Sequence, residues 1–189
     1  MSGKYDLERV LEILNEGGTI LYPTDTIWGI GCDATNSKAV ASIYNIKERV
    51  AEKSMIILVR DLDMLKDYVP DPPEIALELI ASVSDPLTII YPKAVNLPQN
   101  ILAADGSVAI RIPNHDFCQA LLTAFRKPIS STSANMSGSP NPYSYRGVEK
   151  QIKLAVDYIA PFEQEKASRP KPSTIIKIDK KGDMHIIRN

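Results

Sequence analysis

Hydroxyl side chains are concentrated between residues 130 and 138, directly after the short apolar start Pro128-Ile129. Four consecutive Ser or Thr residues are followed there by Asn135, Ser137 and Gly138. These side chains offer hydrogen-bond donors and acceptors, and the small Ala134 among them would let a ligand approach the main chain. Such a segment suits phosphate oxygens. Ser, Thr and Asn more commonly cap their own backbone in a turn, and composition does not separate the two interpretations.

Two cations stand close together at the end of a predicted helix, where Lys47 and Arg49 flank Glu48. If the chain leaves helical geometry at this point, both side chains can converge on a polyphosphate. The alternative is that they only complement the helix dipole, because Lys and Arg in the last helical turn are stabilising. Spacing alone does not decide between these roles.

A third cation, Arg111, lies inside the predicted strand 107–112, between Ile110 and Ile112. A guanidinium in such an apolar setting requires an anionic partner. That partner is either a substrate in a cleft or, if the strand lies at the edge of the sheet, an Asp or Glu of the chain itself.

Several kinds of chemistry are not supported by the sequence. It contains neither a P-loop nor a dinucleotide-binding glycine motif. His115 and His185 are far apart and lack neighbours at ligand spacing, so no zinc site is indicated. Cys32 and Cys118 are expected to be core thiols. The serines at 130–133 lack the glycine elbow of a nucleophilic serine, so hydrolysis is disfavoured.

Predicted helices and strands alternate along most of the chain and must position these residues. This alternation predicts an α/β or α+β domain built on one twisted sheet. Loops at 23–31, 113–115 and 130–138 are expected to converge on one cleft beyond the strand ends. Helices are predicted over 6–16, from Ser37 as N-cap through Ile46, over 61–67 and 72–81, from Asn114 as N-cap to about Phe125, and over 148–154. Strands are predicted over 19–22, 55–59, 87–91, 107–112, 156–159, 174–178 and 185–187.

Length and composition fit a single domain spanning residues 1–189. Two cysteines are too few for a disulfide framework, which favours a reducing, cytoplasmic setting, and the N-terminus does not look like a leader. No segment approaches the roughly 18 apolar residues of a membrane span. The net charge of −1 gives no overall attraction to nucleic acid, so any polyanion site must be local.

Taken together, an ordered set of short motifs resembles the YrdC/TsaC family, in its short single-domain form. The set covers nearly the whole chain: Tyr22-Pro-Thr-Asp-Thr26 with Trp28-Gly29, Lys47-x-Arg49, Pro86-Leu-Thr88, Arg111-Ile-Pro113, Ser131-Thr-Ser-Ala-Asn135 with Ser137-Gly138, and Ser173-Thr174. The resemblance implies a twisted mixed sheet with flanking helices around a large open cavity. Trp28 stands where the family commonly has Tyr, and it could still line that cavity.

The resemblance also implies an L-threonylcarbamoyladenylate synthase, a nucleotidyltransferase that forms threonylcarbamoyl-AMP and pyrophosphate from L-threonine, bicarbonate and ATP. Its product would pass to a complex that modifies tRNA. Mg²⁺ would be carried with the nucleotide, so no metal site of the protein is expected. Two alternatives stay open. One is an RNA-binding paralogue, for which Arg146, Lys150, Lys153, Lys166, Arg169 and Lys171 could gather on one face; the near-zero net charge predicts only weak tRNA contact. The other is a carbamoyl-transfer domain.

The family's motifs assign roles residue by residue. Lys47 and Arg49 carry over as the catalytic cations. The phosphates of ATP would meet Lys47, Arg49, Ser131, Ser133 and Asn135, and threonine would lie beside Thr24, Thr26, Arg111 and Thr174. The cations and the Ser133/Asn135 pair are expected to meet around the triphosphate. They are also expected to face solvent in the empty protein, so that their substitution would leave folding intact.

Overall fold

One mixed sheet organises the computed structural model, which describes residues 6–48, 55–161 and 172–189. Within these ranges the sheet has nine strands in the order β7-β1-β2-β6-β3-β5-β4-β8-β9. The strands are β1 (Ile20–Tyr22), β2 (Gly29–Gly31), β3 (Ile56–Leu58), β4 (Leu87–Tyr91), β5 (Val108–Arg111), β6 (Ile129–Ser133), β7 (Tyr158–Ile159), β8 (Thr174–Ile178) and β9 (Met184–Arg188). The β3–β5, β4–β8 and β1–β7 pairs are parallel and the other neighbours antiparallel, which confirms the predicted mixed sheet.

The helices flank this sheet and agree with the predicted ones to within one or two residues at most of their ends. They are α1 (Leu7–Asn15), α2 (Ser37–Ile46), α3 (Leu62–Lys66), α4 (Glu74–Ser82), α5 (Asp116–Phe125) and α6 (Lys150–Ala155), with short 3-10 turns at Gln99–Ile101 and Tyr145–Gly147. Two predicted N-caps are wrong. Asn36, not Ser37, caps α2 by accepting from the N–H groups of Lys38 and Ala39. His115, not Asn114, occupies the N-cap position of α5.

Two predicted loops contain strands. The segment 23–31 includes β2, whose Gly29 and Ile30 pair with Ser133 and Thr132 of β6. A side chain at Gly31 would collide with β6, since a Cβ atom added there would lie 2.5 Å from the main-chain oxygen of Ser130. β6 in turn continues through the hydroxyl-rich stretch as far as Ser133. Polar composition suggested loops at both places, but tertiary pairing overrides that local preference.

The apolar core lies on both faces of the sheet. On one face, α1 and α5 bury Val10, Leu14, Phe117 and Leu121 against a strand residue such as Ile129. On the other face, a larger cluster joins α2, α3 and α4 to strand residues such as Ile30, Ile57 and Ile110. Because successive side chains of a strand point to opposite faces, β3 supplies Ile57 to the larger cluster and Leu58 to the cluster under α1 and α5.

The sheet ends at β9, which pairs with β8 along one edge only among the described residues. All five residues of β9 are exposed, including Met184, Ile186 and Ile187, whose exposures are 48%, 70% and 57%. This strand therefore has few buried contacts to hold it in place.

Candidate functional site

A cavity of about 270 Å³ occupies the part of the sheet face that α1 and α5 leave uncovered. Its floor comes from the side chains of Ile56, Ile90, Ala109 and Ser131, which the strand register places next to one another. Ligand space therefore lies on the face of the sheet rather than beyond the strand ends. Segments 23–31 and 130–138 both contribute to the lining, as predicted, whereas no residue of 113–115 does. The period of two in each strand explains this placement, since alternate residues of neighbouring strands share one face.

Hydroxyl and guanidinium groups dominate the polar part of the lining. The polar residues are Thr24, Thr26, Arg111, Ser131, Thr132, Ser133, Asn141, Ser173 and Arg188. Within the described ranges, no Asp, Glu, His, Lys or Cys belongs to the lining. The surface offers hydrogen-bond donors and positive charge, which suits anionic ligands.

The loop between β1 and β2 is organised by the hydroxyl of Thr24. Its Oγ1 accepts from the N–H of Thr26 at 3.0 Å and donates to the oxygen of Ile27 at 2.7 Å. The two threonine hydroxyls lie 2.9 Å apart. Both residues line the cavity, with positions fixed by these bonds, and their place beside threonine stays a prediction.

Arg111 lines the cavity from a central strand, because β5 lies between β3 and β4. The edge-strand alternative is therefore wrong. A carboxylate of the chain nevertheless meets this guanidinium, since Nη1 of Arg111 forms an ion pair with Oδ1 of Asp25. The side chains of Arg111 and Asp25 are only 4% and 10% exposed. Asp25 itself does not line the cavity.

Lys47 does not face solvent, and that expectation is wrong. The residue is 3% exposed, and its Nζ donates to the main-chain oxygens of Ser133 at 2.5 Å and Asn135 at 2.6 Å. Lys47 thus contacts Ser133 and Asn135 through their main chain and outside the cavity lining, and their convergence around a triphosphate stays a prediction. A lysine that leaves the last turn of α2 finds two buried oxygens at the end of β6, which local spacing does not reveal. Arg49 lies outside the described residues.

The hydroxyl-rich stretch serves both roles that its composition left open, the lining of a ligand site and the closing of a turn. Ser131, Thr132 and Ser133 all line the cavity at the end of β6. Asn135 instead closes the turn that follows, because its amide donates to the oxygens of Met136 at 3.0 Å and Ser139 at 2.6 Å. Its side chain is not part of the lining.

Two neighbours of the predicted Thr174 line the cavity, whereas Thr174 does not. Ser173 and Ile175 face the cavity, and the alternation of β8 turns Thr174 to the opposite side. The hydroxyl of Ser173 is fixed by that of Thr88 at 2.7 Å. Ser173 is therefore a better candidate for ligand contact on this strand.

Sequence reasoning missed Arg188, which brings a second guanidinium to the cavity. Its Nε and Nη2 donate to the oxygen of Ser173 at 3.1 and 2.9 Å. Although the residue as a whole is exposed, partial burial of its guanidinium, and then the charge of Arg111, lower the pKa of Arg188. The sequence signal was weak, because the predicted last strand stopped one residue before it.

Trp28 forms part of the cavity wall and is 8% exposed. Its ring lies 5.3 Å from that of Tyr145 in a tilted arrangement, and Nζ of Lys153 lies 4.3 Å from the centre of the Tyr145 ring. The main-chain oxygen of Trp28 accepts from the N–H of Ala134, which holds this part of the wall beside the end of β6.

The two cysteines are buried thiols, as predicted. Burial raises the pKa of Cys32 to about 12, although a hydrogen bond with Ser130 opposes the shift. Burial also raises the pKa of Cys118. Neither thiol lines the cavity.

Membrane insertion was not expected, and none of the helices in the described ranges has the length and apolar character to cross a bilayer.

Comparison with known sequences places this architecture in a family. The model of the Sua5, YciO and YrdC domain, described as telomere recombination, matches residues 12–189. Threonylcarbamoyl-AMP synthase of Xanthomonas euvesicatoria is 32% identical over 90% of this chain and 92% of its own length. The corresponding enzyme of Vibrio parahaemolyticus is 33% identical with the same coverage. The chain belongs to the Sua5/YciO/YrdC family, which confirms the resemblance.

Solved structures agree with this assignment. Sua5 of P. abyssi complexed with L-threonine has a TM-score of 0.83 and 28% identity, covering 90% of this chain and 50% of that chain. E. coli YciO has a TM-score of 0.82 and 26% identity, covering 97% of this chain and 88% of that one. The chain thus spans about half the length of the Sua5 protein it matches. The predicted fold is confirmed.

Proposed function

We propose that this protein is a threonylcarbamoyl-AMP synthase, which converts L-threonine, bicarbonate and ATP into threonylcarbamoyl-AMP and pyrophosphate. The observation that carries the proposal is one cavity whose lining combines the guanidiniums of Arg111 and Arg188 with several Ser and Thr hydroxyl groups. The similarity to synthases over 90% of the chain supports the same reaction. The product would serve the formation of threonylcarbamoyladenosine in tRNA, in the cytoplasm.

The charges of the substrates match the lining. ATP, bicarbonate and the threonine carboxylate are all anionic, and the described lining contributes two guanidiniums without a carboxylate. Anions bound there exchange water for fixed donors, and such donors are most effective where water is excluded. These three anionic groups repel one another. The cavity reduces this repulsion and therefore favours binding them together.

The chemistry requires no unusual base from the protein. The neutral amine of threonine and bicarbonate give a carbamate and water. An oxygen of the carbamate, which already carries negative charge, then attacks the α-phosphorus of ATP. The bond to the bridging oxygen breaks, and pyrophosphate leaves. This course agrees with a described lining that lacks Asp, Glu, His, Lys and Cys. The task of the residues is to orient the reactants and offset charge on the leaving group.

The side chains divide between the substrates. Ser131 and Ser133 offer hydroxyls to the phosphates of ATP, and Asn135 shapes the turn beside them. Lys47 contributes positive charge from behind that turn, and Arg49 is proposed to reach the phosphates directly. Mg²⁺ would be held by the phosphates, because the described lining supplies no carboxylate ligand.

Threonine is proposed to lie beside Thr24, Thr26 and Arg111. A guanidinium binds a carboxylate through two parallel hydrogen bonds, so Arg111 is the natural partner of the amino-acid carboxylate. Ser173, rather than Thr174, would complete this side of the cavity.

Pyrophosphate release tests the proposal. The purified protein is incubated with ATP, Mg²⁺, bicarbonate and either threonine, serine or glycine. We expect pyrophosphate to form with threonine and to depend on bicarbonate. Release that does not depend on threonine, or no release, would overturn the proposal.

Binding of tRNA near physiological salt is expected to be weak. Sub-micromolar binding would favour the RNA-binding alternative, because non-specific contacts give Kd values of about 10⁻⁴ to 10⁻⁶ M.

A further inference from the structure

Asp25 joins two loops behind the cavity wall. Its Oδ1 accepts from Nη1 of Arg111, and its Oδ2 accepts from the main-chain N–H of Asn114 at 3.1 Å. The carboxylate thus links the loop after β1 to the segment after β5, and both of its oxygens are engaged.

The contact with Asp25 occupies only one side of the Arg111 guanidinium. The group is planar and carries five N–H donors in a fixed fork. Within the described ranges, Arg111 donates from Nη1 to Asp25, and no residue accepts from its Nη2 or Nε. Since Arg111 lines the cavity and Asp25 does not, the remaining donors are available to a ligand.

Asp25 also offsets part of the positive charge that Arg111 brings to the cavity wall. Arg111 is 4% exposed, and a buried cation without a partner is strongly unfavourable. Arg188 brings a second guanidinium to the same cavity, and its pKa is lowered first by burial and then by the charge of Arg111. A carboxylate on the far side of Arg111 offsets part of this repulsion without occupying ligand space.

We propose that Asp25 is a positioning residue for the amino-acid substrate. It fixes the plane of the Arg111 guanidinium so that the unoccupied donors meet the substrate carboxylate. The inference deepens the proposed function and rests on it. A flexible arginine would also bind a carboxylate, but orienting it would then cost conformational entropy.

The test is a binding measurement on Asp25→Asn, which keeps the shape of the side chain and removes its charge. Calorimetry measures threonine affinity for wild type, Asp25→Asn, Arg111→Lys and the double variant. We expect Asp25→Asn to weaken threonine binding about tenfold or more, as for other hydrogen bonds to charged groups. We expect the double variant to bind no more weakly than Arg111→Lys alone, because Asp25 acts through Arg111. Affinity for ATP should change by less than about twofold.

Asp33→Asn is the matched control. Asp33 is also buried, accepts from Lys127 at 2.8 Å and from the N–H of Thr35, and lies off the cavity. We expect its substitution to leave threonine affinity unchanged. Threoninol, which lacks the carboxylate, adds a readout that a purely structural role would not alter. Wild type should prefer threonine over threoninol by a larger factor than Asp25→Asn does.

The outcomes separate this inference from the proposed function. Unchanged threonine affinity in Asp25→Asn, or losses that add fully in the double variant, would overturn the positioning role alone. Weakened binding in Asp25→Asn without pyrophosphate release by wild type would support positioning and overturn the synthase. Wild type that does not bind threonine would overturn both.

Discussion

Nζ of Lys47 lies 2.6 Å from the main-chain oxygen of Asn135, although 88 positions separate the two residues. The same ammonium reaches the oxygen of Ser133 at 2.5 Å. One buried cation therefore ties the end of α2 to the end of β6, where the hydroxyl groups line the cavity. Lys47 thereby fixes the main chain of the segment that follows the lining hydroxyl groups.

Lys47→Ala is expected to destabilise the fold. The change removes a charged donor from two oxygens, so the free energy of unfolding should fall by about 3 kcal/mol. Urea denaturation measures this loss, with Lys38→Ala as control, because Lys38 is exposed on the same helix. Wild-type stability combined with lost ATP affinity would instead indicate that Lys47 binds phosphate directly.

Ser133→Ala and Asn135→Ala should separate ligand binding from turn formation. Ser133 lines the cavity, so its loss should weaken ATP binding about fivefold and shift stability by no more than about 0.5 kcal/mol. Asn135→Ala removes two donors from the turn and should lower the free energy of unfolding by about 2 kcal/mol. Thermal melting and ATP titration of both variants provide the comparison. Equal effects of the two changes on stability would contradict this division.

Gly31→Ala is expected to damage the β2–β6 pair. The added methyl would lie 2.5 Å from the main-chain oxygen of Ser130 and 2.8 Å from Cε1 of Tyr22. Overpacking of this kind costs roughly 1 to 3 kcal/mol in the free energy of unfolding. Gly147→Ala is the control, because its methyl would have no neighbour closer than 3.7 Å. A Gly31→Ala protein as stable as Gly147→Ala would show that β6 can move away.

Cys32 should resist alkylation in the folded protein. With its pKa raised to about 12 by burial, only about one thiol in 10⁴ is a thiolate at pH 8. Because the folded-state pKa lies above that of an unfolded thiol, the stabilisation from this group is full below about pH 9 and is lost as the pH rises toward 12. Mass spectrometry after iodoacetamide treatment, with and without urea, measures the protection. Rapid labelling at Cys32 without urea would be inconsistent with the buried thiol.

Sequence patterns located most elements because apolar periodicity and turn residues are local signals. The strand Leu87–Tyr91 was predicted with its observed bounds, whereas β2 was missed because two of its three residues are glycine. The strand pairing that holds β2 against β6 is not encoded in local preference. A similar limit applies to Thr174 and Ser173, since only the register of β8 decides which of them faces the cavity.

The candidate site was predictable as a set of residues but not as an arrangement. Arg111 was identified from the cost of burying a cation, yet its partner Asp25 is 86 positions away. The burial of Lys47 likewise depends on oxygens at the end of β6. Both facts arise from contacts between segments that are far apart in the sequence. The spacing of residues along the chain carries no information about such contacts.

The exposed strand β9 links ligand affinity to local unfolding. It pairs with β8 along one edge in the described sheet, and it carries Arg188 into the cavity. Strands with few buried contacts open most readily, and each opening of β9 would withdraw one guanidinium from the site. The apparent Kd would then equal the intrinsic Kd divided by the closed fraction of β9. An occupied cavity should therefore slow amide hydrogen exchange in Met184–Arg188 more strongly than in the central strands.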